Sequence, residues 1–277
     1  MIKNKKEICH VITKEKSDFN SDFCDLSTIC KENNIDYTYV KNINDSESKN
    51  IIKNSNPDVI YCIGWSQLIN KEILSIPKRG IVGFHPAKLP QNRGRHPIIW
   101  ALVLGLKDTA STFFFMKEDA DNGNIISQEE IIINKNDYAI DLYNKIMCTA
   151  KKQIIDITND LEKGTCKEII QDNSKSNSWR KRSKVDGQID WRMSCEGIYN
   201  LIRALSKPYV GASFIYKNKE YKVWRCKIEN TDKYENIEYG KVVNVINENE
   251  IIVKAFDGLV HLLECDPIKV NEGEYLI

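Results

Sequence analysis

Residues 46 to 76 carry the pattern that most restricts the fold. A helix-like stretch from Ser46 to Ser55 is followed by the apolar run Asp58-Val-Ile-Tyr-Cys-Ile63, set between Pro57 and Gly64, and then by a second helix-like stretch from Leu68 to Ile76 that stops at Pro77. A short continuous apolar run between helical segments is expected of a strand buried on both faces. The same beat occurs upstream. Ile8 to Thr13 reads as a strand, Ser21 to Asn33 as a helix with Phe23, Leu26, Ile29 and Cys30 on one face, and Ile35 to Val40 as a second strand. Strands joined through helices cross over right-handedly and pair in parallel, so the first half is expected to be a doubly wound α/β domain with a mostly parallel sheet.

Downstream, the pattern predicts a helix from about Pro97 to Leu106 and strands over Ser111 to Met116 and Ile125 to Ile133. A long helix closes this half, because Ala139, Leu142, Ile146, Ala150, Ile154, Ile157 and Leu161 recur at three- and four-residue intervals. Asp137 suits its N-cap and Gly164 its C-terminal stop. The polar run Gln171 to Ser178 and the basic cluster Trp179 to Lys184 read as a linker. Beyond it come one helix, Ser194 to Leu205, ended by Pro208, and strand-like pieces. Ile251 to Ala255 and Leu259 to Leu263 flank Phe256-Asp257-Gly258, a hairpin signal. The expected division is 1–170, a linker over 171–193, and a small β-rich module over 194–277.

Composition excludes several classes. With 42% hydrophobic residues in 277, the chain has enough apolar mass for a sizeable core, which rules out disorder as the main state. No stretch reaches the roughly 18 to 20 apolar residues of a membrane helix, and the polar opening Met1 to Glu7 lacks the apolar core of a signal peptide, so a cytoplasmic protein is expected. The nine cysteines form no C-x-x-C pair, which argues against a disulfide framework or structural zinc and for small buried apolar groups. A net charge of +1 leaves no footprint for broad nucleic-acid binding.

Two segments mix reactive side chains with backbone-bending residues at the carboxyl ends of predicted strands, where open α/β sheets bind ligands. In Gly80-Ile-Val-Gly-Phe-His85-Pro-Ala-Lys-Leu-Pro90-Gln-Asn-Arg-Gly-Arg-His96-Pro97 a strand delivers His85 into a loop that cannot continue the strand. In Met116-Lys-Glu-Asp-Ala-Asp121-Asn-Gly-Asn-Ile125-Ile-Ser-Gln128 a turn carries three acidic groups in four positions, able to orient or polarise a histidine. On composition and placement alone, a structural His85 bonded to a turn is an equal alternative. His96 precedes a helix-opening Pro97 and suits ligand binding or capping. His10 reads as a core histidine and His261 has no role. Neither a P-loop nor a G-x-G-x-x-G fingerprint occurs, which leaves ATP hydrolysis and nicotinamide chemistry without support.

The string from His85 to Ile98 resembles the H-x-x-x-L-P-x-x-R-G-x-x-P-[IL] signature of formyltransferases that use 10-formyltetrahydrofolate, and Met116 to Gln128 resembles their M-x-x-x-x-D-x-G-x-[IL]-x-x-Q segment. A third match, Asp186-Gly-Gln-Ile-Asp-Trp191 with Ile198 to Ala204 and Pro208 to Ala212, is similar to the second domain of methionyl-tRNA formyltransferase and closer still to the sugar-nucleotide formyltransferases, including the formylating half of the aminoarabinose-modifying enzyme. Together the matches span about residues 55 to 270. The resemblance implies a Rossmann-like catalytic domain followed by an OB-like one. It implies that His85 takes the amine proton or steadies the oxyanion and that Asp121 orients it. It also implies that Trp65, Gln67, Leu89, Glu118 and Asp119 hold 10-formyltetrahydrofolate, that Arg93, Gly94 and His96 bind the substrate, and that no metal is needed.

One departure matters. The family places an Asn two residues before the His, as N-x-H, and this chain has Gly83 there. Loss of one oxyanion donor typically costs about a hundred- to thousand-fold in rate. The expected substitute donor is a nearby residue such as Asn92, with a plain turn-forming role as its alternative, or backbone N–H groups; transfer with a different geometry is the other reading. The expected reaction is N-formylation of an amino-deoxysugar, carried on a nucleotide, for surface glycan synthesis. The alternatives are methionyl-tRNA formyltransferase and a catalytically silent folate or sugar-nucleotide binding protein. The apolar C-terminal segment with Trp224, Phe256 and Leu259 offers an interface for a homodimer.

Overall fold

The computed structural model describes residues 1–16, 23–229, 234 and 236–276. Two units interleave along the chain. The first holds Met1–Gly94, Thr109–Ile131 and Lys145–Trp179, and the second holds Arg95–Asp108, Ile132–Asn144 and Arg180–Ile277. This departs from the expected boundaries at 170 and 194: residues 171–179, read as a linker for their polarity, belong to the first unit through side-chain hydrogen bonds described below.

In the first unit β1 (Val11–Thr13) and β2 (Tyr37–Tyr39) pair in parallel, connected through α1 (Ser27–Glu32). The helix expected from Ser21 begins later, where Asp25 accepts the Ser27 N–H at 2.9 Å; residues 21 and 22 lie outside the described residues. Helix α2 (Ser46–Ser55) has the expected bounds, and the Asp45 carboxylate accepts the Ser48 N–H at 2.7 Å, a cap worth about 1 kcal/mol. Strand β3 (Ile60–Cys62) turns Ile60 and Cys62 toward one apolar layer and Val59 and Tyr61 toward the other. These residues are only half-buried and Ile63 is 47% exposed, because β3 is the edge strand of its sheet. Helix α3 (Lys71–Leu74) is shorter than expected. Its start is fixed by Asn70, whose carboxamide oxygen accepts the Ile73 N–H at 3.0 Å.

Strand β4 (Ile81–His85) follows, then β5 (Arg93–Gly94), α4 (Pro97–Val103), β6 (Asp108–Phe115), β7 (Ile125–Ile132) and α5 (Ala139–Lys163). The sheet runs β3-β4-β6-β7. It is parallel between β3 and β4, where a helix makes the crossover, and antiparallel between β4 and β6. Ile81 packs with Ile52, Ile69 and Ile73 on one face, and Val82 packs with Ala150, Ile157 and Leu161 of α5 on the other. This two-sided burial anchors β4; truncating such an isoleucine to alanine typically costs about 2 to 5 kcal/mol. Helix α5 ends before Gly164 as expected. Asp137 lies two residues before the first residue of α5, and its Oδ2 accepts the Asn134 N–H at 2.7 Å.

In the second unit α4 packs on α6 (Cys195–Leu205), whose N-cap Ser194 accepts the Gly197 N–H. Between the units' helices in sequence lies β8 (Ser178–Trp179), which belongs to the first unit. Five strands complete the chain: β9 (Ala212–Tyr216), β10 (Lys219–Glu229), β11 (Val242–Asn247), β12 (Glu250–Lys254) and β13 (Leu259–Cys265). They form one sheet in the order β11-β12-β13-β10-β9 with every pairing antiparallel. The Asp257-Gly258 turn makes the expected hairpin, and the Asp257 carboxylate accepts the Cys195 N–H at 2.7 Å. Of the three residues expected at a dimer interface, Phe256 is 69% exposed, Trp224 is half-buried and Leu259 is core. Cys30, Cys195, Cys226 and Cys265 are buried, Cys62 and Cys166 are half-buried, and Cys9, Cys24 and Cys148 are exposed. Among the described residues no helix is long and apolar enough to cross a membrane.

Candidate active site

His85 ends β4 at 5% exposure. Its Nε2 lies 2.7 Å from the Asn92 carbonyl oxygen. A carbonyl only accepts, so Nε2 carries a proton, and in the neutral imidazole Nδ1 is the nitrogen with the lone pair. That nitrogen faces the Asp121 carboxylate at 3.7 Å. A proton arriving on Nδ1 therefore meets a negative charge at ion-pair distance, in a pocket where both side chains are largely withdrawn from water.

The loop after His85 is held at several points. Thr112, opposite His85 in the ladder, donates its hydroxyl to Ala87 O at 2.6 Å. Gln128 donates to Leu89 O at 2.9 Å and to Thr112 Oγ1 at 3.0 Å. Asn92 takes a left-handed φ of 62° and donates its N–H to Asn177 Oδ1 at 2.7 Å. Both polar groups of its backbone are thus engaged, while its side chain makes none of the hydrogen bonds that fix the turn. Gly94, at φ 103°, donates its N–H to Asp121 Oδ2 at 2.9 Å, which ties the two motifs together through the catalytic-candidate carboxylate itself.

The run read as a linker supplies the rest. Strand β8 pairs in parallel with β5, and Arg93 N–H donates to Asn177 O at 3.1 Å. Gln171, 6% exposed, donates Nε2 to Asp121 O at 2.9 Å and to Gly123 O at 2.6 Å, while its Oε1 accepts from Arg93 Nη2 at 2.7 Å. Asn173 accepts a second Arg93 bond at 2.8 Å. Sequence reasoning missed Gln171, Asn173 and Asn177, because a polar run has no periodicity and gives no sign of which buried partners it meets.

The structure also explains Gly83. In the ladder it stands opposite Phe114, and a Cβ built on Gly83 would lie 2.8 Å from Phe114 Cζ and 2.9 Å from Met116 Cγ. The room an Asn side chain needs is filled by an apolar wall of Phe114, Leu89, Ile125 and Met116.

The other expected residues divide. Trp65 Nε1 and Arg93 Nε are buried without a hydrogen-bond partner among the described residues, a state that costs about 1 to 3 kcal/mol per group unless a polar ligand completes it. Those two donors fit a polar co-substrate such as 10-formyltetrahydrofolate. Leu89 is core, with its carbonyl held by Gln128. Gln67, by contrast, has both ends of its carboxamide taken up, accepting from Ile43 N–H and donating to Lys41 O, so it shapes the β2–α2 connection. Glu118 and Asp119 are exposed, Glu118 beside Lys71 at 3.5 Å. His96 falls in the second unit at φ 58°; it makes no side-chain cap to α4, and burial with the nearby cations Arg182, Arg95 and Lys181 lowers its pKa. Away from the site, His10 Nε2 meets Thr38 Oγ1 at 3.0 Å, and buried His261 sits between Glu229 and Glu250 at 2.8 Å from each. Among the described residues no group of three or more His, Cys, Asp or Glu side chains is placed to hold a metal ion.

Residues 2–158 match the formyl transferase model and residues 181–272 the model of the formyl transferase C-terminal domain. The chain is 32% identical over 226 residues to the methionyl-tRNA formyltransferase of Halothermothrix orenii, covering 80% of this chain and 71% of that protein. Among solved structures, the N-formyltransferase of Helicobacter canadensis, in complex with folinic acid and dTDP-3-aminofucose, superposes with a TM-score of 0.68 at 18% identity, covering 93% of this chain and 89% of that one. HypX of Aquifex aeolicus does so with a TM-score of 0.67 at 18% identity over 94% of this chain; the chain spans 44% of HypX. At these identities the structural likenesses establish the fold.

Proposed function

The chain belongs to the formyl transferase family, which draws its formyl group from 10-formyltetrahydrofolate, and on that premise we propose that its acceptor is the amine of a nucleotide-linked amino-deoxysugar destined for a surface glycan. The observation that carries this choice is the state of the basic cluster that would otherwise meet a polyanion. Arg180 is paired with the Asp186 carboxylate, Arg182 donates to Asp186 O and lies 4.6 Å over the Trp100 ring, and Lys184 pairs with Glu220 at 2.7 Å. Cations already paired with the chain's own carboxylates and with the Trp100 ring are less available as phosphate contacts, and binding charged tRNA calls for many such contacts.

In this reading 10-formyltetrahydrofolate supplies the formyl group, and Trp65 Nε1, Arg93 Nε and the apolar wall around Leu89 hold it. Nδ1 of His85 accepts the proton that the attacking amine sheds as its nitrogen forms the new C–N bond, and returns it to the folate nitrogen as the bond from that nitrogen to the formyl carbon breaks. Asp121 stabilises the resulting imidazolium. Asn92, whose carbonyl already fixes His85, offers its carboxamide to the negative charge that builds on the formyl oxygen. Arg93 and Gly94 position the acceptor.

A second reading, formylation of methionyl-tRNA, is favoured by the curated relatives, which include several methionyl-tRNA formyltransferases at 30% to 36% identity. A panel of nucleotide-linked amino sugars and initiator methionyl-tRNA, each offered with 10-formyltetrahydrofolate and read by mass, separates them. Formylation of a sugar nucleotide and none of tRNA is the expected result. Efficient formylation of tRNA overturns the sugar reading, and no transfer to any acceptor favours a silent binding protein.

A further inference from the structure

The second unit contains a cleft of about 1070 Å³ bounded by the 134–141 segment, α6 and strands β10 and β13, and none of the formyl-transfer residues named above lines it. Its wall holds Arg203, which is 4% exposed. Nε donates to Asn200 Oδ1 at 2.8 Å, and Nη1 reaches the carbonyls of Asn134, Lys135 and Asp137 at 3.2 to 3.3 Å. Nη2 makes no hydrogen bond among the described residues. No carboxylate of the described residues lies within ion-pair distance of the guanidinium; the Asp137 carboxylate is engaged with the Asn134 N–H at 2.7 Å. A buried cation whose hydrogen bonds all go to neutral oxygens carries a desolvation cost that a bound anion would offset.

The rest of the lining has the same bias. Six cationic side chains face three carboxylates, and two of the six, Lys207 and Lys227, pair with Glu264 and Glu229. Arg225 lies 5.8 Å over the Tyr138 ring and Arg203 5.6 Å from the Tyr199 ring. Half-buried Tyr199 and Trp224 add flat apolar surface to the same cleft. Excess positive charge around a buried guanidinium selects a phosphate group, and aromatic faces beside it select a planar ring. The volume suits a ligand of mononucleotide size.

We propose that this cleft binds a nucleoside diphosphate, its phosphates on Arg203 and Arg225 and its base against the Tyr199 and Trp224 side. The assignment does not rest on the sugar acceptor proposed above, since binding here and formyl transfer are read separately.

Calorimetry on the full chain with uridine diphosphate as probe, without folate, tests it. Saturable binding is expected, competed by inorganic pyrophosphate but not by uridine. Arg225→Ala and Trp224→Leu should each weaken it at least tenfold while formyl transfer stays at the wild-type rate. Arg203→Lys should weaken it too, and because Arg203 also fastens the 134–137 segment, the Arg225 and Trp224 variants decide. Absence of binding, or binding that neither variant changes, overturns the proposal, the latter placing the nucleotide elsewhere. A variant effect confined to tRNA binding likewise overturns it in favour of an RNA surface.

Discussion

Gly83 and Phe114 face each other across the β4–β6 ladder, and the Phe114 ring reaches to 2.8 Å from where a Gly83 Cβ would stand. The space that the N-x-H asparagine would need is therefore taken up by the Phe114 ring from β6. Restoring the family residue alone should overpack the site. Gly83→Asn is expected to lose about 1 to 3 kcal/mol of stability in urea denaturation. Adding Phe114→Ala should recover part of that loss, so that the pair is less destabilised than the two single changes summed. A fully additive double mutant would show that the two positions do not share the space.

The orientation of His85 makes a kinetic prediction. With Nε2–H engaged by Asn92 O and Nδ1 facing Asp121, the two side chains act as one proton-accepting unit. His85→Ala and Asp121→Asn should each lower kcat by about a hundredfold or more, and the double change should cost little more than the worse single one. Independent, multiplying losses would dissolve the unit. Asn92→Ala adds a contrast: a lower kcat at unchanged folate affinity supports its carboxamide as the donor, and an unchanged kcat moves that role to backbone N–H groups.

What was legible in the sequence was what is local. Helix α2 has the bounds Ser46 and Ser55 read from the sequence, and the hairpin at Asp257-Gly258 follows from turn chemistry that two residues carry by themselves. β4 and β6 are antiparallel, so strand order alone does not bring His85 and Asp121 together; the loop after β4 and the turn after β6 are tied by the Gly94 N–H to Asp121 Oδ2. Register and long-range polar contacts were not legible. Nothing in Gly83 announces that Phe114 lies opposite, and Gln171 gives no sign, 50 residues from Asp121, that its amide closes the Asp121 turn. A polar residue reads as solvated until the backbone groups it satisfies are known.

Gln171 should behave as a positioning residue. Its amide spans the Asp121 turn and Arg93, so Gln171→Leu removes both links while keeping the bulk. The expected outcome is a fall in kcat of about tenfold or more from displaced catalytic groups. It should come with an altered pH profile, because the Asp121 carboxylate no longer holds its place beside His85. Gln171→Glu keeps an acceptor for Arg93 but loses the two donated bonds, and should fall between. A Gln171→Leu protein that merely melts earlier, with unaltered kcat and pH profile in the folded fraction, would reduce the residue to packing.

Strong acid should remove the stabilisation that the Asp186 carboxylate supplies. The Arg180 guanidinium, with the Ser183 N–H and hydroxyl, holds the Asp186 carboxyl well below the usual carboxylate range. Because the folded pKa lies below the unfolded value near 3.8, the unfolded chain binds the proton more readily, and stability rises with pH between the two values. The contribution is complete above the unfolded value and is lost as pH falls through the folded one. Asp186→Asn should consequently be less stable than wild type in urea at pH 7, with the gap narrowing at pH 3 and below. Arg180→Gln should narrow it in the same window, since it removes the leading cause of the depression. A gap that stays constant from pH 7 to pH 2.5 would mean that Asp186 stabilises through shape and hydrogen bonding that its amide reproduces in part, and not through its charge.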